Sequence, residues 1–306
     1  MATYAFTLIQ LLYFAAVAEH GSMTGASKSL MISQSAISTS ISQLERDLGV
    51  QLFVRHHARG LTLTPAGEDF LRELRPFLIH ATDLEDAAKG VGRSVVGDLV
   101  VGWFSTLAPF RLPSVVSSFE ERYPNARVKV IEGEHAQLKE ALREGRCEVS
   151  VMYGYDLGDL RSVVMDSVRP YAVLPADHQF ASRKSVDLAD LVGEPMVLLD
   201  LPHTTNYFLS LFRMRGLGEP TVRFRSPGFE TVRSMVAHGH GFTLLNQRPA
   251  HDLTYDGASL VSIELTGHVS PLDVVVAWTS ASRLTTRAQA FIREVRAFEA
   301  PADGLD

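Results

Sequence analysis

Ser33, Gln34, Ser35, Ser38 and Thr39 crowd hydroxyls and a carboxamide into one short stretch. A Gln side chain can pair bidentately with an adenine edge, and Ser or Thr hydroxyls can reach base edges or phosphates. At helical spacing, residues 34, 35, 38 and 39 face away from Ile37, Ile41 and Leu44. Taken alone, a hydroxyl-rich first turn is equally well a capped, solvated helix end. Some twenty residues later Arg55, His56, His57 and Arg59 form a basic tip that suits phosphate, and Thr24 and Thr64 add hydroxyls nearby.

Two further clusters follow apolar runs. Phe104, Ser105 and Thr106 come after one; His203, Thr204, Thr205 and Asn206 come after another. Hydroxyls and free N–H groups at two facing helix starts would make an anion site, so a small carboxylate is the expected ligand. Phe229 and Asn246 would complete the wall, although plain helix capping gives the same pattern. Cys147 has no second cysteine to pair with and reads as a small apolar residue beside a strand. His238 and His240 flank Gly239 without a third metal ligand and read as turn residues. No Ser-His-Asp, paired-carboxylate or phosphate-loop arrangement stands out. No catalysis, metal or cofactor is expected.

The elements that must position these residues follow from periodicity. Leu8–Glu19, Thr24–Leu30 with Ser22 as N-cap, and a helix after Ser33 ending at Gly49 come first. Extended stretches Gln51–Arg55 and Gly60–Leu63 flank the basic tip, which outlines a winged helix-turn-helix over residues 1–63. Thr64-Pro65 starts a long helix over about 64–92. Its stripe of Leu71, Leu74, Leu78, Ala81, Leu84, Ala88 and Val91 wants a partner helix. Pro76 predicts a kink or break near Arg75. From Asp98 short apolar strands alternate with helices, the signature of a parallel sheet. Residues 93–306 are long enough for two lobes: one of about 97–167 with 271–300, the other of about 168–270. The expected class is α/β with a helix-rich N-terminal unit.

Composition agrees with a globular chain. Of 306 residues 46% are hydrophobic and 21% charged, with a formal net charge of −6, so no overall basic balance points to nucleic acid. Residues 1–67 hold four Lys/Arg against three acids. A unit this poor in charge should bind DNA feebly alone, so several copies are expected to act together. The longest apolar run, Leu8 to Ala18, falls well short of the roughly 20 residues a membrane span needs. Its Ala16-Val17-Ala18 ending looks like a leader cleavage site, but no Lys or Arg precedes Lys28. A cytoplasmic location is favoured. The rival is a secreted two-lobed solute-binding protein.

The N-terminal pattern resembles the LysR-type transcriptional regulators. It is carried by Leu11, Phe14, Gly21-Ser22, Thr24, Ala26, Leu30, Ser33-Gln34, Ala36, Ser38, Ile41, Leu44-Glu45, Leu48-Gly49, Leu52-Phe53, Arg55, Leu63-Thr64 and Ala66-Gly67. It continues diffusely in Leu112-Pro113, Tyr123-Pro124, Gly145…Glu148 and Val236…Gly239-His240-Gly241-Phe242. Ser27 and Ser35 depart from it, standing where Ala and Pro are usual. The resemblance implies an effector domain similar to periplasmic solute-binding proteins, with a small molecule held between the lobes. It also implies a double-stranded operator, a homodimer through the linker helix assembling to a homotetramer, and contact with RNA polymerase in an activator.

Overall fold

The structure is a computed structural model that describes residues 4–56, 60–86, 88, 95–280 and 283–299. The N-terminal unit packs α1 (Leu8–His20), α2 (Met23–Leu30) and α3 (Gln34–Leu48) around Phe14, Ile37, Ile41 and Leu44, all fully buried. Each helix starts where the sequence supplies an acceptor. Thr7 makes a capping box with Gln10, Ser22 accepts from the Gly25 N–H, and Ser33 accepts from the Ala36 N–H. Gly49 ends α3 in the left-handed conformation.

The wing is the antiparallel pair β1 (Phe53–His56) and β2 (Gly60–Leu63). Glu45, on α3, accepts from the Leu52 and Phe53 N–H groups at 2.8 and 3.1 Å, which fixes where the wing leaves the core. Gly67 has a steric reason for its place in the motif. A Cβ there would lie 2.2 Å from the Leu52 carbonyl oxygen, so the next helix can approach the wing only at a glycine.

That helix, α4 (Pro65–Asp86), runs unbroken through Pro76. Of the kink or break expected near Arg75, the break does not occur. The proline ring instead packs against Gly145 of the C-terminal unit. The expected dimer stripe is corrected more sharply. Leu71 and Leu74 are buried in the N-terminal core with Phe14, and Leu78 packs on the same cluster. What α4 leaves in the open is Phe77 and Leu84, and α1 leaves Leu8, Ile9 and Leu12 exposed.

Lobe I is a five-stranded sheet in the order β4 (Ala126–Gly133), β3 (Gly97–Phe104), β5 (Val149–Tyr153), β13 (Leu272–Thr279), β6 (Leu160–Val168). It is covered by α5 (Ala108–Arg122), α6 (His135–Arg143) and α10 (Thr286–Glu299). Lobe II holds β7 (Tyr171–Pro175), β8 (Ser185–Val186), α7 (Leu188–Leu191), β9 (Met196–Leu199), α8 (Thr204–Met214), β10 (Val222–Ser226), α9 (Phe229–Ala237), β11 (Thr243–Leu245) and β12 (Leu260–Leu265).

The β9–β10 pair is parallel, as expected, but the five-stranded sheet of lobe I and the four-stranded sheet of lobe II are mixed. β13 runs antiparallel to both β5 and β6, and β11 and β12 run antiparallel to β7. The chain crosses between lobes twice, and the returning β13 enters lobe I against the direction of β3, β4 and β5. Gly241 marks the tightest approach in lobe II. Its φ is +129°, and a Cβ would lie 1.9 Å from the Pro195 carbonyl oxygen, whose partner is the Phe242 N–H at 3.0 Å.

Candidate DNA interface and effector cleft

In the helix-turn-helix, Gln34, Ser35 and Thr39 are exposed and Ser38 half-exposed, while Ile37, Ile41 and Leu44 face the core. The carboxamide of Gln34 accepts from Thr24 Oγ1 at 3.3 Å, which joins the start of α2 to the start of α3. Two of the predicted contact residues carry structural duties first. Ser33 caps α3 and shares a 3.2 Å hydrogen bond with Ser35. Thr64 caps α4 through the Gly67 N–H and donates to the Gln51 carbonyl at 2.7 Å, so its hydroxyl serves the fold. Arg55 is exposed on β1. His56 supplies backbone to the same strand, and Arg59 and His57 lie outside the described residues.

The second site lies between the lobes. Thr106, Thr204, Phe229 and Asn246, all predicted, line one small cavity together with Tyr153, Phe208 and Gln247. Phe229 meets Phe110 of α5 edge-on at 5.5 Å, an aromatic contact across the cleft. The Asn246 amide donates to Tyr207 Oη at 3.3 Å and to the Val168 carbonyl at 3.4 Å. Gln247 spans the lobes: its amide donates to Tyr153 Oη at 3.3 Å, and its carbonyl accepts from Tyr171 Oη at 2.7 Å. The remaining space, about 10 Å³, is close to that of one water. In this structure the lobes touch across the cleft through Phe110 with Phe229 and Tyr153 with Gln247.

Three predicted residues are placed differently. Phe104 is fully buried against Tyr153 in the lobe I core. Ser105 Oγ donates to the Glu134 carboxylate, and Thr205 Oγ1 donates to Asp200 Oδ1 at 2.7 Å. These two hydroxyls therefore serve carboxylates of the protein rather than forming the expected anion site. Among the described residues no Lys, Arg or His lines the small cavity.

His203 stands at the edge of the cleft with φ +70°, a strained backbone for a non-glycine residue. Its ring lies 5.1 Å from Tyr155 and 5.7 Å from His135, and its Nε2 is 3.9 Å from Asp156. Burial holds the His135 imidazole below its ordinary pKa. Burial pushes the phenols of Tyr153, Tyr155 and Tyr207 up, Tyr207 to about 12. Tyr153, Gln247 and Tyr207 escape a reading by residue clusters because each sits just outside one. Tyr153 follows the apolar run Val149–Met152, Gln247 follows Asn246, and Tyr207 follows Asn206.

A winged helix-turn-helix joined by a long helix to two α/β lobes with a polar cleft defines a ligand-responsive DNA-binding regulator. Comparisons with known proteins agree. Residues 8–68 match the family described as "Bacterial regulatory helix-turn-helix protein, lysR family", and residues 92–300 match "LysR substrate binding domain". The chain is 30% identical over 235 residues to the "Hydrogen peroxide-inducible genes activator" of Pectobacterium carotovorum, covering 76% of this chain and 77% of that one. It is similar to HinK, a LysR family regulator of Pseudomonas aeruginosa, at 38% identity and a TM-score of 0.66, with 96% and 98% of the two chains covered. It is also similar to CbnR in complex with its target DNA, at 25% identity and a TM-score of 0.58, with 95% and 99% covered. The chain belongs to the LysR family of transcriptional regulators.

Proposed function

We propose that the chain reads an operator with the exposed first turn of α3 and responds to a small polar effector held between its lobes. The observation that carries the DNA reading is the division of α3, with Gln34, Ser35 and Thr39 exposed on one side and Ile37, Ile41 and Leu44 buried on the other. Thr106, Thr204, Asn246 and Gln247 supply hydroxyl and amide partners for the effector. They favour a hydrogen-bonding ligand, and a carboxylate would find no cation on that wall. With room for about one water, effector entry requires the lobes to part. That movement would reset the spacing of paired DNA-binding units and, in an activator, their contact with RNA polymerase. The working division is 1–63, 64–92 and 93–306, in a cytoplasmic protein. The solute-binding alternative leaves the winged helix-turn-helix without a role.

A duplex site selected from random DNA by the wild-type protein supplies the test. Gln34→Ala should remove about 1–3 kcal/mol of preference for that site per half-site over scrambled DNA. Arg55→Ala should instead weaken binding to both and flatten its salt dependence. Unchanged preference in Gln34→Ala would mean that α3 lies in another register on the groove.

Assembly is proposed to use the face that α4 leaves open. A second copy laid along Leu84 and the open side of Phe77, respectively 72% and 51% exposed, would cover apolar surface that this chain leaves to solvent. Replacing both by Asp should give a smaller species in sedimentation and weaker DNA binding, because charges cannot enter such a seam without a large desolvation cost. An assembly of undiminished size would place the interface elsewhere. Peroxide sensing, raised by the name of the Pectobacterium relative, finds no chemistry in this chain. Cys147, its one cysteine, is 2% exposed, and burial pushes its thiol up to about 12, so thiolate is scarce.

A further inference from the structure

A cavity of about 530 Å³ lies outside the cleft, between α4 and lobe I. That volume falls within the range of small-molecule sites. Its apolar walls are Phe77 and Pro76 on the linker side and Leu142, Trp278 and Leu284 on the lobe side. Three arginines, Arg72, Arg143 and Arg283, line the same space. Arg143 spends one nitrogen on Asp159 at 2.6 Å, and Arg72 one on Asp69. Arg283 has no hydrogen-bond or ion-pair partner among the described residues. A guanidinium carries five donors in a planar fork suited to carboxylate or sulfonate, so most of this donor capacity is uncommitted. Glu148 also faces the cavity, but Arg287 and Thr285 hold its carboxylate at 3.1 and 2.6 Å. Glu73 is the one lining carboxylate without a partner among the described residues, and it is exposed.

We infer that this cavity is a second ligand site, distinct from the cleft, for a flat apolar molecule carrying one anionic group. The apolar body lies against Trp278, Leu142 and Phe77, and the anionic group meets Arg283 with Arg143. Its position gives it consequences. The same wall holds the contacts that tie α4 to lobe I: Arg287 to Asp83 at 3.6 Å and Arg75 to the Glu144 carbonyl at 3.3 Å. A molecule lodged there bears on the DNA-binding half and the effector half at once, and its occupancy biases the angle between them.

Anilinonaphthalene sulfonate has the required chemistry and is the probe. Titrated into the full-length protein, it should show saturable emission at one site per chain, sensitised by energy transfer from Trp278. The only other tryptophan, Trp103, is fully buried in lobe I. Arg283→Glu should weaken binding at least tenfold and Arg283→Ala several-fold. Glu73→Gln should tighten it, which distinguishes anion recognition from unspecific adsorption to apolar surface. Trp278→Phe should lower the sensitised emission, the remainder coming from Trp103, while direct excitation still reports one site. Thr204→Tyr, which fills the cleft, should leave the probe unaffected, so failure here and failure of the cleft reading are separable. Equal affinity in wild type, Arg283→Glu and Glu73→Gln would overturn the inference. So would binding seen only after Leu84→Asp, outside the cavity lining, separates the subunits, since a partner chain would then fill the cavity.

Discussion

Phe14→Ala is expected to unfold the DNA-binding unit while leaving the two lobes folded. The ring is fully buried and lies 5.2 Å from Phe53 of the wing and 5.1 Å from Phe70 of α4. It thus joins α1, the wing and the linker helix in a single contact set. Truncating a buried Phe costs about 3–5 kcal/mol, the lost transfer energy adding to the cavity left behind. A unit of some 60 residues has a total stability of the same order. The cost therefore falls on a module with little in reserve. Calorimetry should show the low-temperature transition lost and the effector-domain transition retained, with DNA binding abolished at all salt concentrations. A single transition merely shifted down would mean that the N-terminal unit and the lobes unfold together, coupled through α4.

The helices of that contact set are legible in the amino-acid sequence, and their neighbours show where legibility stops. Ser22, Ser33, Gly49 and the spacing of Ile37, Ile41 and Leu44 are local signals, and each element they mark stands within a residue or two of its expected position. The extended runs ending at Met152 and beginning at Leu272 are equally visible. Their relative direction is not, because pairing of β13 against β5 joins residues more than a hundred apart in sequence. The strand Leu160–Val168 escapes a reading by pattern for a related reason. Its burial alternates weakly, with Val164 exposed, and it is held at the edge of the sheet by β13 rather than by its own pattern. The stripe on α4 is plain in the sequence, but its destination is not. Leu71 and Leu74 have the spacing of a helix–helix seam, and a helical period states which residues share a face without stating what covers that face. At the cleft, residue types single out Thr106, Thr204, Phe229 and Asn246, which the fold brings to one small cavity. Nothing local reveals that Glu134 and Asp200 take the hydroxyls of Ser105 and Thr205.

Removing Arg287 should be the most costly single change in the C-terminal half. Its side chain is 5% exposed and that of Glu148 9%, so neither charge has much water to fall back on. Burial pushes the Glu148 carboxyl up, opposed by the attraction and hydrogen bond of Arg287 and by the Thr285 hydroxyl. Breaking such a pair from one side leaves an uncompensated buried charge, at a cost of about 3–5 kcal/mol. Arg287→Met should lower stability by that order, and adding Glu148→Gln should restore much of it, since the amide can still accept from Thr285. The two changes are strongly non-additive if the pair is the unit that matters. The pH dependence follows from the same charge. A carboxyl whose folded pKa lies above its unfolded one is least costly when protonated, so Arg287→Met should come closest to wild type below the ordinary carboxylate range. It should lose ground as the pH rises through the raised value. Arg287 also reaches Asp83 on α4, so the single variant should loosen the link between linker and lobe as well as the lobe itself. Denaturant titrations of the two single variants and the double at two pH values provide the cycle. A double variant no more stable than Arg287→Met would show that Arg287 acts through packing of its aliphatic stem, and that Glu148 is already satisfied without it.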